Sequence, residues 1–168
     1  SFDGLTQFLD GTNLNLHNSS FTMIVVSKNI NQSNSNPTLI RIGSGTTGFA
    51  FRQSSLYKDT WATLNNSTTF TGHYIEMINS ALEVTTLIKE INVNQMFYSS
   101  DVLVKTTTAS GATAPMSAGG NYTIGYGQFA GYYFKGIIGD ILVFNRVLNY
   151  SELSYVINTI IKVKYDLC

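Results

Sequence analysis

Along most of this chain apolar and polar positions either alternate or gather into short apolar blocks, and both are patterns of strands. The block at 21–28, FTMIVVSK, is apolar and β-branched for most of its length and suits a buried strand. A run of turn formers at 29–37 follows and closes at Pro37. TLIRI at 38–42 then leads through glycines into GFAFRQ, where Phe49 and Phe51 alternate with Ala50 and Arg52. The same reading predicts strands over 70–79, 84–94, 95–108, 121–127 and 137–145, with Ser99, Ser100 and Asp101 as a tight turn. The small residues of 108–120 predict an exposed connection. Only the C-terminal NYSELSYVINTIIKVKY changes period. Leu153, Val156, Ile157, Ile160 and Ile161 fall at i, i+3, i+4, i+7 and i+8, which predicts a helix with one apolar face against the sandwich. Asn149 is its N-cap, Glu152 completes a capping-box pattern, and Lys162 and Lys164 suit the negative end of its dipole.

Gly43, Gly45 and Gly48 spell G-x-G-x-x-G, the pattern that cradles a dinucleotide pyrophosphate. That chemistry requires a helix directly after the glycines, because the helix N-terminus supplies the amides and the dipole. Here a period of two follows, so the glycines read as a hairpin turn. The later GYGQFAG at 125–131 likewise leads into a strand.

Size and composition narrow the function. The chain has 168 residues, enough for one domain with a substantial core. Charged residues make up 12% of it, about half of the usual ~25%, so Asn, Ser, Thr and Tyr must supply much of the polar surface. Ten basic and ten acidic residues cancel, with no basic cluster, which argues against nucleic acid and anionic membranes as partners. No apolar run approaches the length of a spanning helix, so membrane insertion is not expected. The single Cys168 excludes an internal disulfide and a cysteine metal cluster. With its start at Ser1, the chain reads as a single domain, 1–168, excised from a larger protein.

The segment FKGIIGDILVFNRVLNYSELSYVINTIIKVKY resembles the closing segment of the concanavalin A-like lectin/glucanase superfamily, in its laminin-G-like branch. Phe134, Lys135, Gly136, Asp140, Phe144, Asn145, Arg146 and Leu148 occupy that branch's places, with Asn149 where Ser or Thr is usual. Phe2, Asp3, Gly4 and Phe8 are similar to its opening, and MFYSSDVLVKTT resembles one of its hairpins, with Ser100 and Asp101 in place of Asn-Gly. The resemblance implies an all-β fold: a two-sheet antiparallel β-sandwich, or jelly roll, with one C-terminal amphipathic helix. It also implies structural roles for Asp140, as a hydrogen-bond acceptor, and for Arg146, with Phe134 in the core.

The superfamily's glucanases carry a catalytic Glu-x-Asp-x-x-Glu on one strand. None of Asp3, Asp10, Asp59, Glu76, Glu83, Glu90, Asp101, Asp140, Glu152 and Asp166 has a second carboxylate at i+2, the spacing that shares a strand face. His17 and His73 are the only histidines and form neither a zinc site nor a triad. No cofactor is expected, and no Asp-rich loop marks a calcium site. Sugar recognition needs aromatic faces and planar amides or hydroxyls. TWATLNNSTTF offers Trp61, Asn65 and Asn66 for this, and YGQFAGYYF offers Tyr126, Gln128, Tyr132 and Tyr133, both read as loops at the sandwich edge. Asn18, Asn31, Asn65, Asn66, Asn121 and Asn149 head N-x-Ser/Thr triplets, which are glycosylation acceptors in a eukaryotic host. The sequence therefore points first to a non-enzymatic carbohydrate-recognition or adhesion domain of an extracellular, cell-surface or virion protein. The second reading is a structural or assembly module of the same fold, partnered by other protein subunits, and the third is a glycoside hydrolase.

Overall fold

The computed structural model describes residues 1–16, 18–30, 37–43, 49–53, 57–64, 67–76, 81–108, 120–127 and 132–167, with the backbone alone given between 53 and 76. Strands β1 (Phe2–Asp3), β3 (Phe21–Asn29), β8 (Glu83–Glu90), β9 (Asn94–Ser99), β10 (Val102–Thr107) and β12 (Lys135–Phe144) form one antiparallel sheet, sheet I, in the order β1-β12-β3-β8-β9-β10. Strands β2 (Leu9–Leu14), β4 (Thr38–Ile42), β5 (Phe49–Gln53), β6 (Tyr57–Leu64), β7 (Ser67–Glu76) and β11 (Gly120–Ile124) form sheet II, in the order β2-β11-β4-β5-β6-β7. The expected jelly-roll sandwich with a C-terminal helix is the observed architecture.

The core lies between the sheets. Phe21, Met23 and Val25 of β3, Leu87 of β8 and Phe97 of β9 face Leu39, Ile42, Phe49 and Phe51 of sheet II, and Phe134 is fully buried among them, as expected. Two ring contacts bridge the layers, Phe21 edge-on to Phe49 at 5.7 Å and Phe51 tilted against Phe97 at 5.8 Å between ring centroids. Each such side chain contributes roughly 1.5–3 kcal/mol by leaving water. The alternate residues of sheet I, Ile24, Val26, Val84 and Ile88, pack under the helix instead. β3 is thus buried on both faces, which explains its unbroken apolar run.

Helix α1 runs through Tyr150–Tyr155, a π-helical stretch Val156–Ile161, and Lys162–Tyr165. Its start is the predicted capping box: Asn149 Oδ1 accepts the Glu152 N–H at 3.0 Å, and Glu152 Oε2 accepts the Asn149 N–H at 3.0 Å. Arg146 locks that carboxylate with two hydrogen bonds, at 2.7 and 2.9 Å, and Lys164 binds both oxygens of Asp140 at 2.8 and 2.7 Å. Both residues that the sequence assigned to fold contacts serve in that way. The apolar face differs from expectation: Leu153, Ile157 and Ile161 are buried, Val156 is partly buried and Ile160 is 48% exposed. The wide π turn moves the inward positions to every fourth residue.

Other boundaries shift for local reasons. The strand expected over 84–94 stops at Glu90, because Asn92 takes a left-handed conformation (φ 61°) that Asn tolerates. The one expected over 121–127 ends at Ile124, before Gly125 at φ 83°. The strand expected over 70–79 already begins at Ser67. β4 pairs antiparallel with β5, so a strand follows the glycines and the nucleotide fingerprint lacks its helix. Gly45, Gly48, His17 and Cys168 lie outside the described residues. No helix among the described residues is long and apolar enough to cross a membrane.

One interior position is costly. Lys89 faces the core in the row Phe21–Lys89–Gln95, is 1% exposed, and its Nζ has no hydrogen-bond partner. Burial pulls its pKa from the ordinary 10.5 down to about 8.

Candidate functional site

The helix covers the outer face of sheet I, so the outer face of sheet II is the one on which loops can build a contact surface. On β4 and β5 the residues that turn away from the core are Arg41, Ala50 and Arg52, each 4% exposed. Register sets Asp10, Thr123, Arg41, Ala50 and position 61 side by side in one row across five strands.

Beyond Ile124 the chain is pinned to this face by its backbone. Gly125 donates its N–H to the Leu39 carbonyl at 2.9 Å, and its own carbonyl accepts from Phe134 at 2.9 Å. The Tyr132 carbonyl accepts from both Thr38 and Gly127 at 3.2 Å. Thr123 Oγ1 donates to the Tyr126 carbonyl at 2.7 Å. These bonds set Tyr126 opposite Tyr133 in an isolated bridge, and the two rings stack at 4.5 Å with 20° between planes. Phe8 adds a third ring 5.3 Å from Tyr126, while remaining 44% exposed. Tyr126 is the middle of this row, in contact with both neighbours, so Phe8 and Tyr133 form its ends.

The electrostatics join the rings to the arginine. Burial raises the pKa of Tyr126, as do the nearby Tyr133 phenol and a hydrogen bond to it, while Arg41 pulls the other way. Burial lowers the pKa of Arg41, and Tyr126 opposes that change. The surface therefore offers aromatic carbon and phenolic hydroxyls, with the buried Arg41 cation behind them. That combination can stack on apolar C–H faces and exchange hydrogen bonds with hydroxyls. Among the described residues a groove of about 380 Å³ lies elsewhere, between Phe144, Leu148 and Tyr155 beside the Arg146–Glu152 pair.

Of the residues expected to contact a ligand, the structure brings Tyr126 and Tyr133 together, with Tyr132 half-buried beside them and packed over Gly127. Trp61 does not sit in a loop as expected but in β6, whose polar and β-branched residues pair with β5 and β7. Asn65, Asn66 and Gln128 lie outside the described residues. Sequence reasoning missed Arg41 and the part played by Phe8. A lone charge within TLIRI was the available signal for the first, whereas nothing local pairs Phe8 with Tyr126.

No family model and no curated protein sequence matches the chain. Solved structures do match. The native heptameric SAP-like pentraxin of Limulus polyphemus aligns with a TM-score of 0.67 at 17% identity, over 93% of this chain and 79% of its own. The CBM40 module of the Ruminococcus gnavus IT-sialidase, bound to α2,3-sialyllactose, aligns at 0.69 and 16% identity over 92% and 99%. The fold that this chain shares with them is a two-sheet antiparallel jelly-roll sandwich. The binding domain of botulinum neurotoxin DC, in complex with rat synaptotagmin II, aligns at 0.66 and 16% identity, over 90% of this chain but 40% of that one. At these identities the likeness is one of fold, and fold alone does not fix function.

Proposed function

We propose that this chain is a non-catalytic carbohydrate-recognition domain of the laminin-G-like branch, carried by an extracellular, cell-surface or virion protein. It contacts glycans with the outer face of sheet II around Phe8, Tyr126 and Tyr133, above Arg41. The observation that carries this reading is the three-ring row held beside a desolvated guanidinium on the face that the helix leaves uncovered. A similar structure supports it: the Ruminococcus gnavus module is bound to α2,3-sialyllactose. The non-catalytic part rests on the carboxylates, none of which has a partner at i+2.

The test is a glycan-array screen of the folded protein with and without calcium, alongside Tyr133→Ala. If a ring on a sugar face contributes as much as an aromatic pair, about 0.5–1.5 kcal/mol beyond area burial, the variant should bind roughly two- to twelvefold more weakly. Binding that is indifferent to Tyr133→Ala would move the contact elsewhere, and silence across a broad array would refute the reading. An assembly role is the second reading, favoured by the exposed apolar residues at the edges of sheet I.

A further inference from the structure

The two ends of the three-ring row lead back to one short stretch of chain. Tyr133 is one end, and two residues later Lys135 pairs with Asp3, which opens the loop that leads to Phe8, the other end. From Asp3 the chain turns at Gly4, whose φ is 78° and whose approach to Lys135 leaves no room for a Cβ. It then crosses from sheet I to sheet II, where β2 begins with Leu9 opposite Ile124. Phe8 lies one residue outside that ladder and belongs to neither core cluster. Among the described residues its one ring contact is Tyr126. Leu5, in the same loop, is 73% exposed. Neither strand pairing nor burial therefore sets the direction of the Phe8 side chain.

The side chain of Asp3 does. Its Oδ1 accepts the N–H groups of Leu5, Thr6 and Gln7 at 2.8, 2.9 and 3.1 Å, and its Oδ2 accepts the Thr6 hydroxyl at 2.8 Å. Three successive amides aimed at one oxygen fix the backbone of 5–7, and hydrogen bonds to a charged acceptor are roughly twice as strong as neutral ones. The bonds from Thr6, Leu5 and Gln7 also hold this carboxyl well below the usual carboxylate range, so it stays charged. We propose that Asp3 is the positioning residue of the glycan surface: its carboxylate, anchored opposite Lys135, holds the loop that sets Phe8 against Tyr126. This role rests on the glycan reading of the same surface. Asp3 does not itself meet the sugar, because its two oxygens already hold four donors, and it acts through Phe8. The row is thus a closed circuit, in which Tyr133 is tied to Phe8 on one side through Tyr126 and on the other through Lys135 and Asp3. The Asp3 link is the one made by a side chain bonding to backbone, so a single substitution opens it. Once it is open, the ligand must order the loop as it binds, and that cost weakens binding.

Two measurements test this on Asp3→Ala, Asp3→Asn, Phe8→Ala and the double variant Asp3→Ala/Phe8→Ala, each shown to be folded by circular dichroism. The first is the nuclear Overhauser effect between the Phe8 and Tyr126 rings, which needs no ligand. It should be present in the wild type, kept in Asp3→Asn, whose Oδ1 still accepts, and lost in Asp3→Ala. The second is the half-saturating concentration on a glycan array. Asp3→Ala should raise it roughly two- to tenfold, and Asp3→Asn should stay close to the wild type. In the Phe8→Ala background Asp3→Ala should add nothing, since the ring it positions is gone. Should Asp3→Ala not fold, Thr6→Val, which removes the Oδ2 bond alone, should move both readouts in the same direction by less. A ring effect that survives Asp3→Ala overturns the proposal, as does a loss of binding that is equally large with and without Phe8. A wild type that binds nothing on the array refutes the glycan reading and with it the role in binding, whereas the ring measurement by itself decides whether Asp3 holds Phe8.

Discussion

Replacing Lys89 with methionine is expected to stabilise the protein. The side chain is 1% exposed, its Nζ bonds to nothing, and its pKa falls from 10.5 to about 8. At about 1.4 kcal/mol for each tenfold change, that fall corresponds to roughly 3 kcal/mol spent on holding the charge inside. Methionine keeps the unbranched stem and removes the charge. The sign of the pH dependence follows. Below pH 8 folded and unfolded chains are both protonated, and the whole cost is present. Between pH 8 and 10.5 the folded chain binds fewer protons, so wild-type stability rises with pH relative to the variant. Urea unfolding followed by fluorescence should therefore place Lys89→Met about 3 kcal/mol above wild type at pH 7 and only roughly 1 kcal/mol above it at pH 10. Tyrosine titration is common to both proteins and cancels in the difference. A gain of equal size at both pH values would refute the reasoning, and so would a loss of stability at pH 7.

Asn149→Ala removes one half of the capping box and should cost about 1 kcal/mol in the same urea assay. The Asp3 carboxylate accepts the N–H groups of Leu5, Thr6 and Gln7 and is held well below the usual carboxylate range by the bonds to Thr6, Leu5 and Gln7. Asp3→Ala should accelerate hydrogen exchange at those three amides, and in the wild type their protection should hold above pH 3.8 and fade as the pH drops below it. Gly136 sits at φ 152°, where a Cβ would run into the Lys28 carbonyl oxygen. Gly136→Ala should lower stability by about 1–3 kcal/mol or more, read as a fall in melting temperature.

What was legible in the sequence follows from burial. β3, β4, β5 and β8 carry apolar residues that water would penalise, and their patterns announce them. β2, with its sequence LDGTNL, is made of residues that also suit turns, and only pairing with β11 from far along the chain makes it a strand, whereas β6, with YKDTWATL, holds the strand formers Tyr57, Thr60, Trp61 and Thr63 but no continuous apolar run to announce it. The helix was visible together with its cap, but its inward positions were not, because the π turn breaks the period on which the reading relied. The candidate site was half visible. Tyr126, Tyr132 and Tyr133 stand out by composition, whereas Phe8 and Arg41 reach them through the sandwich register. Lys89 left a trace: in VTTLIKE it shares the face of Leu87, which packs in the core.

The order in which the strands pair also limits when this chain can fold. β3, the most deeply buried strand, sits between β8 and β12, and β4 sits between β5 and β11. In both sheets an early strand waits for one from the last third of the chain. On a ribosome, the apolar edge of β3 stays uncovered until residues 135–144 have been made and the helix that roofs them has emerged. Closing such distant pairs is slow, and the waiting edge can capture other chains. Cells producing this protein therefore handle a nascent chain whose β3 edge needs shielding until residues 135–165 have been made, and truncations that remove this segment should leave the domain insoluble rather than merely shortened.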